Sequence, residues 1–209
     1  MRPVHPLWRA FDPAATLARR QYRVARRQVD VAGVVPFDPG WTVEFGRMRD
    51  LLVATLGDVA IRVSHVGSTA VPGLAAKPII DIDLTVPDST AESDYLPALE
   101  ASGFRLIARE PDWEEHRCLT FGSPNTNLHV FSPGAIEPQR HLLFRDRMRR
   151  VAADRDVYGA LKLSLASAGF APSADYNGAK AALVYDIYES VFVNDPRFEH
   201  SPRPRPVTD

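Results

Sequence analysis

HVGSTAVPGLAAKPIIDIDLTV, residues 65–86, holds a short apolar lead-in, a Gly67-Ser68-Thr69 turn and two alternating carboxylates. Twelve residues, 69–80, separate Ser68 from Asp81. Asp81 and Asp83 alternate with Ile82 and Leu84. Side chains of a strand point the same way at every second residue, so both acids share one face. Aspartate is disfavoured in strands, so two on one face call for a purpose. Paired acids beside a small-residue turn suit a site for Mg²⁺ and the phosphates it carries.

Outward from this stretch, Val59 to Val66 alternates as a strand and Ile79 to Val86 as a second. Thr42 to Leu56 has helical spacing, with Gly57 as its stop. Ser89 to Ser102 reads as a helix ended by Gly103. Short strands follow at Phe104 to Ala108, His116 to Phe121 and Thr126 to Phe131, the last two joined by a Gly122-Ser123-Pro124-Asn125 loop. Pro138 to Val151, Asp154 to Ala168 and Ala174 to Phe192 read as three helices. Strands joined by short loops imply antiparallel pairs. The expected fold class is therefore α+β: a mixed sheet backed by helices, with a helical C-terminal half.

Three parts are expected along the chain. Residues 1–34 form an extension in which Thr16 to Asp30, carrying Arg19, Arg20, Arg23, Arg26 and Arg27, reads as a basic helix. Residues 35–193 form the main domain. Residues 194–209 form a tail with Pro196, Pro202, Pro204 and Pro206, which should be extended or pinned on a partner.

The chain has 209 residues, 45% hydrophobic and 24% charged, enough for one domain with a sizeable core. A net charge of −1 gives no overall electrostatic case for nucleic acid or membrane binding. One cysteine, Cys118, excludes an intrachain disulfide and reads as a packed thiol. No window holds the ~18 consecutive apolar residues of a membrane span, and the N-terminus lacks the apolar core of a secretion signal. The expected location is the cytoplasm. The sequence leaves the oligomeric state open.

The stretch from Phe37 through Val86 resembles the GrpB family. Phe37-Asp38-Pro39-Gly40-Trp41 matches its aromatic-Asp-Pro-x-Trp opening. His65, Gly67, Ser68, Thr69, Val71, Pro72, Gly73, Leu74, Lys77, Pro78, Ile80, Asp81 and Ile82 match its long central motif. Leu128-His129-Val130 and His141-Leu142-Leu143-Phe144-Arg145-Asp146 are later landmarks, and Lys162 and Lys180 fall where the family places lysines on its terminal helices. The family is similar to the nucleotidyltransferase superfamily and also occurs fused to dephospho-coenzyme A kinase. The superfamily pattern, a hydrophobic residue, Gly, Gly/Ser, a spacer and Asp-h-Asp-h, is met here by Val66-Gly67-Ser68 and Asp81-Ile82-Asp83-Leu84.

The resemblance implies a nucleotidyltransferase-like fold and a Mg²⁺-dependent transfer of a nucleoside monophosphate from a nucleoside triphosphate to a small-molecule acceptor. Asp81 and Asp83 would hold one or two Mg²⁺ ions, with His129 assisting catalysis. His65, Gly67, Ser68, Thr69, Lys77, Arg117, His141, Arg145, Lys162 and Lys180 would bind nucleotide and phosphate. Active members of the superfamily usually add a third carboxylate from a neighbouring strand. The equivalent strand here, Thr126 to Phe131, offers Asn127 and His129 instead. The alternative is a binding module for a nucleotide or a coenzyme A-related ligand, without turnover.

Overall fold

The computed structural model describes residues 2–12, 14–30, 32–168 and 174–205, without the side chains of 16–17 and 174–177. Among the described residues, five strands form one mixed sheet in the order β1-β2-β5-β4-β3. The strands are β1 (Arg62–Val66), β2 (Ile80–Thr85), β3 (Arg105–Glu110), β4 (His116–Phe121) and β5 (Thr126–Phe131). Neighbours in sequence pair antiparallel, β1 with β2, β3 with β4 and β4 with β5. The long crossover brings β5 back parallel to β2, with Asp81 opposite Asn127 and Asp83 opposite His129. This pairing puts four polar side chains on one face at the sheet's centre.

The other face is apolar. Ile82, Leu84, Leu119, Leu128 and Val130 are fully buried there. They pack under α2 (Gly40–Leu56), through Trp41, Met48, Leu52 and Leu56, and under α3 (Leu96–Ala101), through Leu99. Burying side chains of this size contributes about 2 kcal/mol each, which fixes the register, because a one-residue slip would turn them toward water. The helical C-terminal half is α4 (Ile136–Arg150), α5 (Ala152–Ser167) and α6 (Ala174–Val193). Its own core joins Met148, Tyr158 and Ile187 to Val71 and Leu74 of the loop between β1 and β2. The helical half therefore grips the loop that follows the Gly-Ser turn.

The architecture is the expected α+β one, and its departures from expectation are local. The strand expected from Val59 starts at Arg62, because a tight turn at Gly57–Val59 (Gly57 φ 53°) takes the first residues. The helix expected from Ser89 is confined to Leu96–Ala101. Ser89 is fully buried, its hydroxyl donating to the Glu115 carbonyl at 2.9 Å, and Asp88 closes a turn on the Thr90 amide at 2.8 Å.

The Arg-rich segment is not one helix. It has a single turn, α1 (Ala15–Ala18), a 3-10 turn at Arg19–Tyr22, and then extended chain. Arg23 bridges Ala108, and the Val24 amide donates to the Ile107 carbonyl at 3.0 Å, so the segment covers β3, one of the sheet's two edge strands. The tail is held by the chain's own beginning: the Ser201 amide donates to the Pro3 carbonyl at 3.1 Å, and the His5 amide to His200 Nδ1 at 3.1 Å. Pro206 lies outside the described residues. No helix among the described residues is long and apolar enough to cross a membrane.

Candidate active site

Gly67 sits between β1 and a 3-10 turn with φ +72°, where only glycine is unstrained. A Cβ there would lie 2.3 Å from Asp81 Oδ2. The turn therefore lies directly against the first carboxylate, which explains why the two motifs sit side by side. Two hydrogen bonds brace the turn from below. Thr69 Oγ1 donates to the Ile79 carbonyl at 2.9 Å, and His65 Nε2 meets Thr69 Oγ1 at 3.1 Å.

His65 pairs with Ile82, so it lies on the apolar face, stacked on Phe45 at 4.5 Å. Burial pushes its pKa down to about 4, so it is neutral. It supports the turn and does not face the carboxylates. Arg117 also departs from the expected role. It pairs with Val130, again on the apolar side, and donates to Glu92 Oε1 at 2.7 Å. Strand alternation puts both residues on the wrong face to meet a phosphate near Asp81.

On the polar face, Asp83 is 3% exposed and held by His141 Nδ1 at 2.9 and 3.1 Å from its two oxygens. Asp81 accepts from Asn127 Nδ2 at 2.6 Å and faces His129 Nε2 at 3.9 Å. Burial works against charge on both Asp81 and His129, yet their mutual attraction prevails: the Asp81 pKa is lowered and that of His129 raised. Behind His129 runs a buried chain, with His116 Nε2 3.0 Å from His129 Nδ1 and His116 Nδ1 2.6 Å from Glu110 Oε2. Burial, with the charge of His129 adding to it, keeps His116 neutral. Cys118 pairs opposite His129, so its half-buried thiol borders the site.

The helical half supplies positive charge. Lys162 is 3% exposed, and its Nζ has no hydrogen-bond partner among the described residues. Burial, then the neighbouring charge of Lys180, brings its pKa down to about 7, with Asp81 pulling the other way. Lys180 is lowered to about 8 by burial, again against the pull of Asp81. Burial and Lys180 lower Lys77 as well. One turn before Lys162, Tyr158 lies near Ser68, and its ring lies 4.8 Å from Lys162 Nζ. Lys180 thus adds its positive charge to both Lys77 and Lys162 in the neighbourhood of Asp81.

Arg145 Nη1 donates to the His65 carbonyl at 2.9 Å, and Arg149 donates to the Ala70 carbonyl at 2.7 and 2.9 Å. Both pin the turn to α4. The structure therefore gathers Gly67, Ser68, Asp81, Asp83, His129, His141, Lys77, Lys162 and Lys180. Thr69, Arg145 and His65 serve as braces, and Arg117 stands apart. Glu114 and Glu115, the acids directly before β4, are committed elsewhere. Glu114 accepts from the Ile136 and Glu137 amides at the start of α4, and Glu115 pairs with Arg117.

Sequence reasoning missed Arg27, Tyr158, His116 and Glu110. Arg27 donates to the Oδ1 of Asn127 and, at 2.8 Å, to that of Asn125. No spacing signal links residue 27 to a strand a hundred positions on. Tyr158 and Lys162 stand four apart on α5, a weak signal that they share a helix face.

Among the described residues no group of three or more His, Cys, Asp or Glu gathers as a ready metal cage. The donors still suit one hard cation. Asp81 and Asp83 offer carboxylate oxygens on one face, each oriented by a neighbour, Asn127 and His141, as ligating carboxylates are. Among the described residues no third acid joins Asp81 and Asp83 in such a group.

The family model described as GrpB protein matches residues 32–190. A UPF0157 protein of Halalkalibacterium halodurans is 46% identical over 74% of this chain and 79% of its own length. The crystal structure of the conserved protein GrpB from Enterococcus faecalis superposes with a TM-score of 0.67 at 31% identity, covering 75% of this chain and 95% of that one. A dephospho-CoA kinase of Mycolicibacterium paratuberculosis is 32% identical over 68% of this chain but only 42% of its own length.

Proposed function

This chain belongs to the GrpB family, and from the geometry of its site we propose that it is a nucleotidyltransferase acting on a small-molecule hydroxyl. The observation that carries this reading is Lys162. A buried amine with no hydrogen-bond partner among the described residues, beside a Gly-Ser turn and an aspartate pair, costs free energy unless an anion completes it. A nucleoside triphosphate fits that role. Its phosphates would lie over Gly67 and Ser68, where the missing Cβ lets backbone N–H groups approach. Lys162 and Lys180 would neutralise the charge that grows on departing pyrophosphate.

Asp81 and Asp83 would hold one Mg²⁺, and the ion would supply charge neutralisation at the transferred phosphorus. His141 fixes the rotamer of Asp83, and the His129 chain keeps Asp81 ionised. The acceptor oxygen would bond to the α-phosphorus and release its proton to solvent, while the α–β phosphoanhydride bond breaks and pyrophosphate leaves.

A second reading has its own support. Asn127, on the strand from which a third acid is expected, turns an N–H toward Asp81, which suits a binding module for a nucleotide or coenzyme A-related ligand. The likeness to dephospho-CoA kinases agrees with that ligand class. Incubation with each nucleoside triphosphate, Mg²⁺ and a pool of hydroxylated metabolites separates the two. Pyrophosphate release that disappears in Asp81→Asn supports transfer. Nucleotide binding with no pyrophosphate from any acceptor supports the module and sinks the transferase.

A further inference from the structure

Residues 1–31 lie outside the stretch that matches the family, yet they reach its centre. The segment is tied along β3 by Arg23 and Val24, and Gln28 Nε2 donates to the Gly103 carbonyl at 3.0 Å. Between these ties Arg27 spans Asn125 and Asn127, both through their side-chain oxygens. A guanidinium only donates, and a primary amide has one accepting and one donating end. With Arg27 on Oδ1, Asn127 has only its NH₂ left for Asp81, which it reaches at 2.6 Å. Turning the amide over would set its NH₂ against the guanidinium and its oxygen against a carboxylate. Only a cation between the two oxygens would make that second orientation favourable.

We propose that Arg27 is a positioning residue, delivered by the N-terminal strap, that holds the Asn127 amide donor-first toward Asp81 and so weakens divalent-cation binding at the carboxylate pair. The proposal rests on the reading of Asp81 and Asp83 as cation ligands. Its physical basis is twofold. Arg27 removes Asn127 from the pool of oxygen ligands, and it adds a positive charge that Asp81 feels. A strap that lifts away would release both effects together, coupling the chain's beginning to the cation site.

Mn²⁺ serves as the probe, with binding followed by calorimetry and by its electron paramagnetic resonance signal in the full-length protein. Arg27→Ala should tighten Mn²⁺ binding by about fivefold or more, the lower end of ordinary coupling between sites. Arg27→Gln, which keeps the chain length, should move it the same way. Arg23→Ala, on the same strap but away from Asn127, should leave it unchanged. The Asn127 side-chain ¹⁵N–¹H signals should shift in Arg27→Ala and stay in place in Arg23→Ala. Mn²⁺ affinity that is equal or lower in both Arg27 variants overturns the proposal. If Asp81→Asn binds Mn²⁺ as well as the parent does, the carboxylate reading is what fails. The Asn127 signals still judge the strap in that case, and signals indifferent to Arg27 overturn its positioning role outright.

Discussion

At Gly67 the chain leaves no room for any other residue. A methyl group would strike Asp81 Oδ2 and would also force a left-handed backbone on an L side chain. Gly67→Ala should lower stability by about 1–3 kcal/mol, read as a fall in Tm, and should weaken nucleotide binding because Asp81 must move. Lys162 should behave in the opposite way. Lys162→Met keeps the volume and removes a buried amine that has no hydrogen-bond partner among the described residues, so Tm should rise while triphosphate binding falls. The pH dependence follows from the depressed amine. Its folded pKa, about 7, lies below the unfolded value of about 10.4. Between those limits the unfolded chain binds the extra proton, so this group's penalty is carried in full below pH 7 and relieved as pH rises. Urea titrations of the free protein from pH 6.5 to 9.5 should show a stabilising trend that is smaller in Lys162→Met. An equal trend in both proteins would show that Lys162 is an ordinary lysine.

The elements divide into those written in local pattern and those that depend on distant partners. β4 and β5 occur where expected, His116–Phe121 and Thr126–Phe131, each with fully buried apolar side chains, Leu119 on β4 and Leu128 and Val130 on β5. α2 follows its apolar spacing to Leu56. The Asp81-Asp83 alternation likewise placed both acids on one face. His65 and Arg117 were not legible in the same way. Their chemistry suits phosphate, but strand registry turns them to the core side, and registry is settled only when β2 meets β1 and β5 meets β4. The Arg-rich segment misleads for a related reason. Its charges suggest a helix, whereas bonding to the edge of β3 rewards extended chain. That edge carries a prediction of its own. Removing residues 1–31 should uncover unpaired backbone on β3 and promote self-association, visible as earlier elution on a sizing column. On α4, His141→Ala should cost about 2 kcal/mol in a urea melt, since Asp83 of β2 is buried and would lose its donor. A variant as stable as the parent would place Asp83 in a wetter site than its 3% exposure indicates.

Across the whole molecule the sheet and the helical half bring opposite charges to one place. The sheet contributes Asp81 and Asp83, the loop contributes the Gly67-Ser68 turn, and α5 and α6 contribute Lys162 and Lys180. A chain whose net charge is −1 hides this arrangement, because the local clusters cancel in the sum. The terminal strap and tail, bonded to each other, add Arg27 to the same centre. The central claim is that a triphosphate completes this arrangement, with its phosphates on the turn and on Lys162. The direct measurement is calorimetric titration of the full-length protein with an α,β-methylene nucleoside triphosphate and Mg²⁺ at pH 8, repeated in buffers of different ionisation enthalpy. The claim predicts saturable binding that takes up protons as the lysines become charged. It also predicts about tenfold or greater loss of affinity in Lys162→Met, the weight of one charge-assisted contact of roughly 1.4 kcal/mol or more. Binding that leaves the proton balance untouched and is equally tight in Lys162→Met, or no binding of any nucleotide, would contradict it.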